Sequence, residues 1–148
     1  MPSILRTAAL LGASLTLMAC TSTTPKAHQP EPGANPASAL TGRWQITRIA
    51  GQPVNASQHP VLEFDASAHA YSATAGCNRI FGRYEVSQGR LRLSPPGSTL
   101  KACPPAQQAL ETALAQTLQA ISNGRYHVSQ DQLEIHTPAG AVALQGQR

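Results

Sequence analysis

Acidic side chains, aromatic rings, cysteines and long apolar runs are all scarce in this 148-residue chain, and each shortage excludes something. Seven Asp and Glu leave little material for paired-carboxylate chemistry. The closest pair, Glu63 and Asp65, projects from one face of a strand and reads as solvated rather than hydrolytic. Three cysteines with no Cys-x-x-Cys spacing give no thioredoxin-type motif. The histidines at 28, 59, 69, 127 and 136 lack metal-ligand spacing, so no metal is expected. No Gly-x-Ser-x-Gly elbow and no phosphate-cradling glycine loop is present, and no cofactor is expected. The 11 Lys and Arg are dispersed, without a run of four, which speaks against nucleic acid as a partner. The longest apolar run, Thr7 to Met18, falls short of the roughly 20 residues that span a bilayer.

What is present begins with an address. Met1 to Arg6 is basic, Thr7 to Met18 is apolar, and the run ends in Leu17-Met18-Ala19-Cys20. That ending resembles the lipobox of bacterial lipoproteins, which makes residues 1–19 a signal peptide and Cys20 the lipidated residue. An ordinary secretory signal with an incidental Cys20 is the alternative. Acyl chains, at about 0.8 kcal/mol per buried CH₂, would then hold the chain on a membrane without a spanning helix. Thr21, rather than Asp, resembles the signal for export to the outer membrane, facing the periplasm or the cell surface. Residues 20–39 are rich in Pro, Ala, Ser and Thr and read as a tether. The domain is expected over 40–148.

Alternation of period two then dominates. Trp44 and Ile46 share a face, as do Leu62 and Phe64, and then Tyr71, Ala73 and Ala75. Trp44, the one tryptophan, reads as a core plug. A two-residue turn at Gln88-Gly89 would set Val86 against Leu91, Tyr84 against Leu93 and Glu85 against Arg92. Pro104 and Pro105 fit only a first helical turn, after which Leu110, Ala113, Leu114, Thr117, Leu118 and Ile121 recur at helical spacing until Asn123-Gly124. Three further strands follow, with Tyr126 facing Ile135 and His127 facing Glu134. The expected fold is therefore β-rich α+β: about eight or nine antiparallel strands in a curved sheet or partly closed barrel, with one amphipathic helix.

Chemistry concentrates at two cysteines. Cys77 lies in the turn Gly76-Cys77-Asn78-Arg79, and Cys103 stands just before the helix. In an oxidising envelope a structural disulfide is the favoured reading. The competing reading is a redox or nucleophilic thiol, since a helix start lowers a cysteine pKa. Asn78 suits a left-handed turn, while Arg79 reads as a contact residue or as a clamp for a nearby carbonyl or carboxylate.

Gly42-x-Trp44, Leu62-x-Phe64, Gly76-Cys77-Asn78-Arg79, Gly82-x-Tyr84, Leu91-x-Leu93, Thr99-x-x-Ala102-Cys103, Glu111 and Leu133-x-Ile135 together resemble the META domain of HslJ-like bacterial lipoproteins. The resemblance runs from Leu40 to Leu144 and departs from the usual pattern at Ala73 and Lys101. It implies a lipocalin-like partial barrel, a link to envelope stress or antibiotic tolerance, and no catalytic set to carry over. The functional expectation is a non-enzymatic envelope domain that binds an unknown envelope protein or small apolar ligand around Asn78, Arg79, Tyr71 and Tyr84. Two alternatives stand beside it: a thiol-based redox or hydrolytic enzyme using Cys77 or Cys103, and a periplasmic hydrolase inhibitor.

Overall fold

The structure, a computed structural model, describes residues 36–148. The expected signal peptide, Cys20 and most of the expected tether lie outside the described residues. A short helix α1 (Pro36–Leu40) is followed by β1 (Gly42–Ile49), β2 (Gln52–Pro53), β3 (Val61–Asp65), β4 (Ala70–Thr74), β5 (Arg79–Ser87), β6 (Arg90–Leu93) and β7 (Gly97–Ser98). Helix α2 (Pro105–Ala120) comes next, then β8 (Gly124–Ser129), β9 (Gln132–His136) and β10 (Val142–Gln147). Eight strands close antiparallel in the order β1-β3-β4-β5-β6-β8-β9-β10, with β10 returning to β1. The two-residue strands β2 and β7 pair with β1 and β5 from outside that ring. A β-rich barrel with one main helix is thus what the alternation leads to.

The registers follow from face sorting. One inward rung carries Trp44, Leu62, Ala73 and Ile80 across β1, β3, β4 and β5, and small Ala73 leaves room for the indole. The neighbouring outward rung carries Arg43, Glu63, Ser72 and Phe81. Slipping one strand by one residue would exchange these two rungs, so burial fixes the pairing. The β5–β6 hairpin has the expected pairs, Tyr84 with Leu93, Glu85 with Arg92 and Val86 with Leu91. Its turn residues Gln88 and Gly89 both have positive φ, as the right-handed twist of a two-residue hairpin requires. Tyr126 with Ile135 and His127 with Glu134 also pair as expected.

Helix α2 lays Leu114, Thr117 and Leu118 into the core, and Ile121 continues the buried row just beyond it. Pro104 and Pro105 open the helix where missing N–H groups cost nothing. Its end differs from expectation. Asn123 alone takes the left-handed conformation (φ 66), while Gly124 already begins β8. Glycine is needed there for closeness, because a Cβ would lie 1.8 Å from the His136 carbonyl oxygen. Helix α1 occupies residues that composition assigned to the tether. Its last residue, Leu40, is fully buried and accepts the Trp44 Nε1–H at 2.8 Å. Above the indole, the Arg148 guanidinium sits 4.4 Å from the ring centroid.

Candidate functional site

The signature residues meet where the loop after β4 touches the segment leading into α2. Cys77 and Cys103 form a disulfide between Cα atoms 6.1 Å apart, 26 residues apart in sequence. Gly76 (φ 104) turns the chain so that the next two main-chain N–H groups point at α2. Both donate to Oε1 of Glu111, from Cys77 N at 3.1 Å and from Asn78 N. Oε2 of the same carboxylate accepts from Asn78 Nδ2 at 2.8 Å. Glu111 is 7% exposed, so a buried acidic side chain on α2 closes the loop onto the helix. Burying a carboxylate is tolerable when donors replace its water, and three N–H groups do so here.

Asn78 is fully engaged. Its second amide hydrogen points at Cys103 Sγ (3.0 Å), and its Oδ1 accepts from Thr99 Oγ1 (3.0 Å) and Lys101 N (2.8 Å). An amide side chain offers two donors and two acceptor sites, and all four have partners. Aspartate would lack the donors, and a shorter or apolar residue would lack both. Thr99 completes the link by exchanging bonds with Arg79: its Oγ1 accepts from Arg79 N at 3.0 Å, and its own N–H donates to Arg79 O at 3.0 Å.

The sequence-based partner residues divide sharply. Arg79 is exposed, and its guanidinium has no bond among the described residues. Asn78 is half-buried and has no group left over. Tyr71 and Tyr84 are each 2% exposed and therefore cannot form the contact surface expected of them. The Tyr71 ring lies across Gly82, where a Cβ would come within 2.6 Å, and its hydroxyl donates to Ser94 O at 3.2 Å. Tyr84 packs edge-on against Phe64, with centroids 5.0 Å apart. Its buried hydroxyl has no hydrogen-bond partner at normal geometry among the described residues.

Burial raises the pKa of Tyr71, Tyr84 and Tyr126 above the ordinary 10.0; Thr41 offsets part of this for Tyr84, while the Asp65 charge adds to it. A raised phenol pKa means that ionisation favours the unfolded chain. The contribution of the three phenols is therefore fully present below pH 10 and is lost as pH climbs above it. Ultraviolet titration of the three tyrosines should show phenolate absorbance emerging only above their ordinary midpoint, together with unfolding. Three ordinary midpoints in the folded protein would contradict this.

Cys77 Sγ, Cys103 Sγ and a Glu111 oxygen lie within 4.8 Å of one another, a spacing that could suit a metal ion. The sulfurs are bonded to each other, however, and the carboxylate is ringed by N–H donors, so this set offers neither thiolate nor free oxygen. Glu111 is the residue that reasoning from the residues did not place. Its signal was its phase on the helix, three residues before Leu114 and seven before Leu118.

The sequence pattern of the META domain matches residues 38–148. No curated protein sequence matches the chain. Among solved structures, a protein from Burkholderia xenovorans determined by NMR is 24% identical, with a TM-score of 0.59, over 84% of this chain and 98% of that one. A second NMR structure is 21% identical, with a TM-score of 0.55, over 76% and 94%. A crystal structure of a DUF4847 family protein from Bacteroides vulgatus is 11% identical, with a TM-score of 0.50, over 73% and 92%. At these identities the three share the fold with this chain and nothing finer.

Proposed function

The chain belongs to the META domain family, and from that premise we propose that it is a non-enzymatic binding or scaffold domain of the bacterial envelope, held at the outer membrane by a lipid on Cys20. One observation carries the reading: the residues of the signature are engaged with each other. Cys77, Asn78, Thr99, Cys103 and Glu111 form a closed clasp, with no thiol, hydroxyl or carboxylate left poised for a substrate. A disulfide also belongs to an oxidising compartment, which agrees with export through the N-terminal segment. The partner surface is the outer face around Arg79, and its role in envelope stress or antibiotic tolerance follows the family resemblance.

Two measurements test this reading. Cell fractionation should find the mature chain with the outer membrane and the Cys20→Ser chain released from it; equal partitioning of both would remove the anchor. Alkylation of the unreduced protein under denaturing conditions should leave Cys77 and Cys103 unmodified. Full labelling of either residue would instead favour the thiol-enzyme reading.

A further inference from the structure

We propose that the outer face of β1, β3, β4 and β5 carries a binding cleft for a phosphate-bearing anion, formed by Arg43, Arg79 and Lys101. The proposal deepens the binding-domain reading and rests on it for its setting. The cleft has a volume of about 540 Å³ and lies over two outward rungs of the barrel. Small Ser72 and Thr74 on β4 form part of its floor, and Glu63 is the one acid in its wall. Three exposed cations face one exposed anion, which leaves a local positive excess over a concave surface.

The three cations are also unsatisfied. Arg48, Arg83, Arg90 and Arg148 each donate to a main-chain carbonyl oxygen. No hydrogen bond or ion pair engages the side chains of Arg43, Arg79 or Lys101 among the described residues, although Glu63 stands directly across from Arg43 in register. Three positive charges gathered around a single carboxylate repel one another, and a bound oxyanion relieves that repulsion. The clasp sets two of the three in place. Lys101 is held through its N–H on Asn78 Oδ1, and Arg79 through both main-chain bonds to Thr99. A main chain fixed at both residues leaves only the side-chain torsions to be ordered when an anion binds. Two arginine forks and an ammonium suit the several oxygens of a phosphate.

Beyond Arg79 the surface changes character. An adjoining hollow of about 560 Å³ is lined by Ala68, Ala70, Phe81 and Arg83, and the Phe81 ring, 45% exposed, rests against Gly97. A ligand with phosphate at one end and apolar substance beside it fits both hollows. A phospholipid head group and a free phosphate share the chemistry that the cleft reads.

The test uses the full chain carrying Cys20→Ser, so that failure of the lipid-anchor reading leaves it unaffected. In one arm, inorganic phosphate is titrated while the amide resonances of Asn78, Arg79, Thr99 and Lys101 are followed. In the other, the chain is sedimented with vesicles of phosphatidylcholine alone or mixed with phosphatidylglycerol. The expected results are shifts confined to those amides, capture by the mixed vesicles only, or both; the first assigns a free anion and the second a head group. Arg43→Gln with Arg79→Gln should weaken capture about thirtyfold, at the usual contribution of a basic residue near an anionic surface. Arg92→Gln with Arg125→Gln removes the same charge elsewhere on the barrel and should leave binding unchanged. Lys101→Gln, with no partner to lose, gives an independent reading. Silence in both arms, or equal losses from the two double variants, overturns the proposal.

Discussion

Glu111→Ala is expected to lower the stability of the folded domain by about 3 to 5 kcal/mol, because each buried donor left without an acceptor costs about 1 to 3 kcal/mol. The substitution strands Cys77 N, Asn78 N and Asn78 Nδ2 together. Water entering beside the half-buried loop recovers part of the loss, which keeps the estimate below the full sum. Glu111→Gln keeps one acceptor oxygen but turns an NH₂ toward a donor, so about half the loss remains. Thr112→Ala, one residue along on the exposed side of α2, removes only a bond to Gln108 O and should stay within about 0.5 kcal/mol. Urea unfolding followed through the fluorescence of the buried Trp44 measures all three. A Glu111→Ala midpoint equal to that of Thr112→Ala would mean that the carboxylate does not hold the loop. Set against a usual total of about 5 to 15 kcal/mol for a domain, the expected loss is large enough to leave part of the population unfolded at growth temperature.

The second large effect comes from the disulfide. Closing the 26-residue separation between Cys77 and Cys103 restricts the unfolded chain by an amount worth about 3.5 kcal/mol on the loop-entropy estimate. Cys77→Ala with Cys103→Ala should therefore cost about that much, and slightly more because Asn78 Nδ2 loses its contact to Cys103 Sγ. The two perturbations should not add. Glu111 and the disulfide fasten the same loop, so once one is gone the loop is free to move and the other has less to hold. Glu111→Ala in the disulfide-free background should cost less than in the native chain, with a coupling energy of about 0.5 to 3 kcal/mol. Strict additivity would separate the two into independent supports and dissolve the idea of one clasp.

Much of the barrel could be read in the residues because its strands are amphipathic and its turns are short. Val86, Leu91, Tyr84 and Leu93 admit one pairing around Gln88-Gly89, and the structure has it. The strands β2 and β7 left no trace, since two residues carry no periodicity and their order comes from neighbours already in place. The Pro36–Leu40 turn was hidden by a composition that resembles a linker, with its purpose, seating Leu40 under Trp44, visible only in three dimensions. At the site, the cysteine pair was legible from the count and from the oxidising compartment that the N-terminal residues led one to expect. Glu111 was not, because a charged residue on an amphipathic helix ordinarily marks the wet face, and here the loop amides supply the solvation that water would give. Tyr71 and Tyr84 show the opposite lesson. The same alternation that placed Tyr71 beside Ala73 and Tyr84 across from Leu93 already turned both rings inward, against their selection as a contact surface.

Native-state hydrogen exchange at the Cys77 and Asn78 amides tests the clasp most directly. With the carboxylate of Glu111 gripping them, both should exchange only through global unfolding, as slowly as the amides of the core strands, and Glu111→Ala, which removes the one oxygen that both share, should release them ahead of those strands. Exchange at the speed of an open loop in the native protein, unchanged by that substitution, would contradict the account.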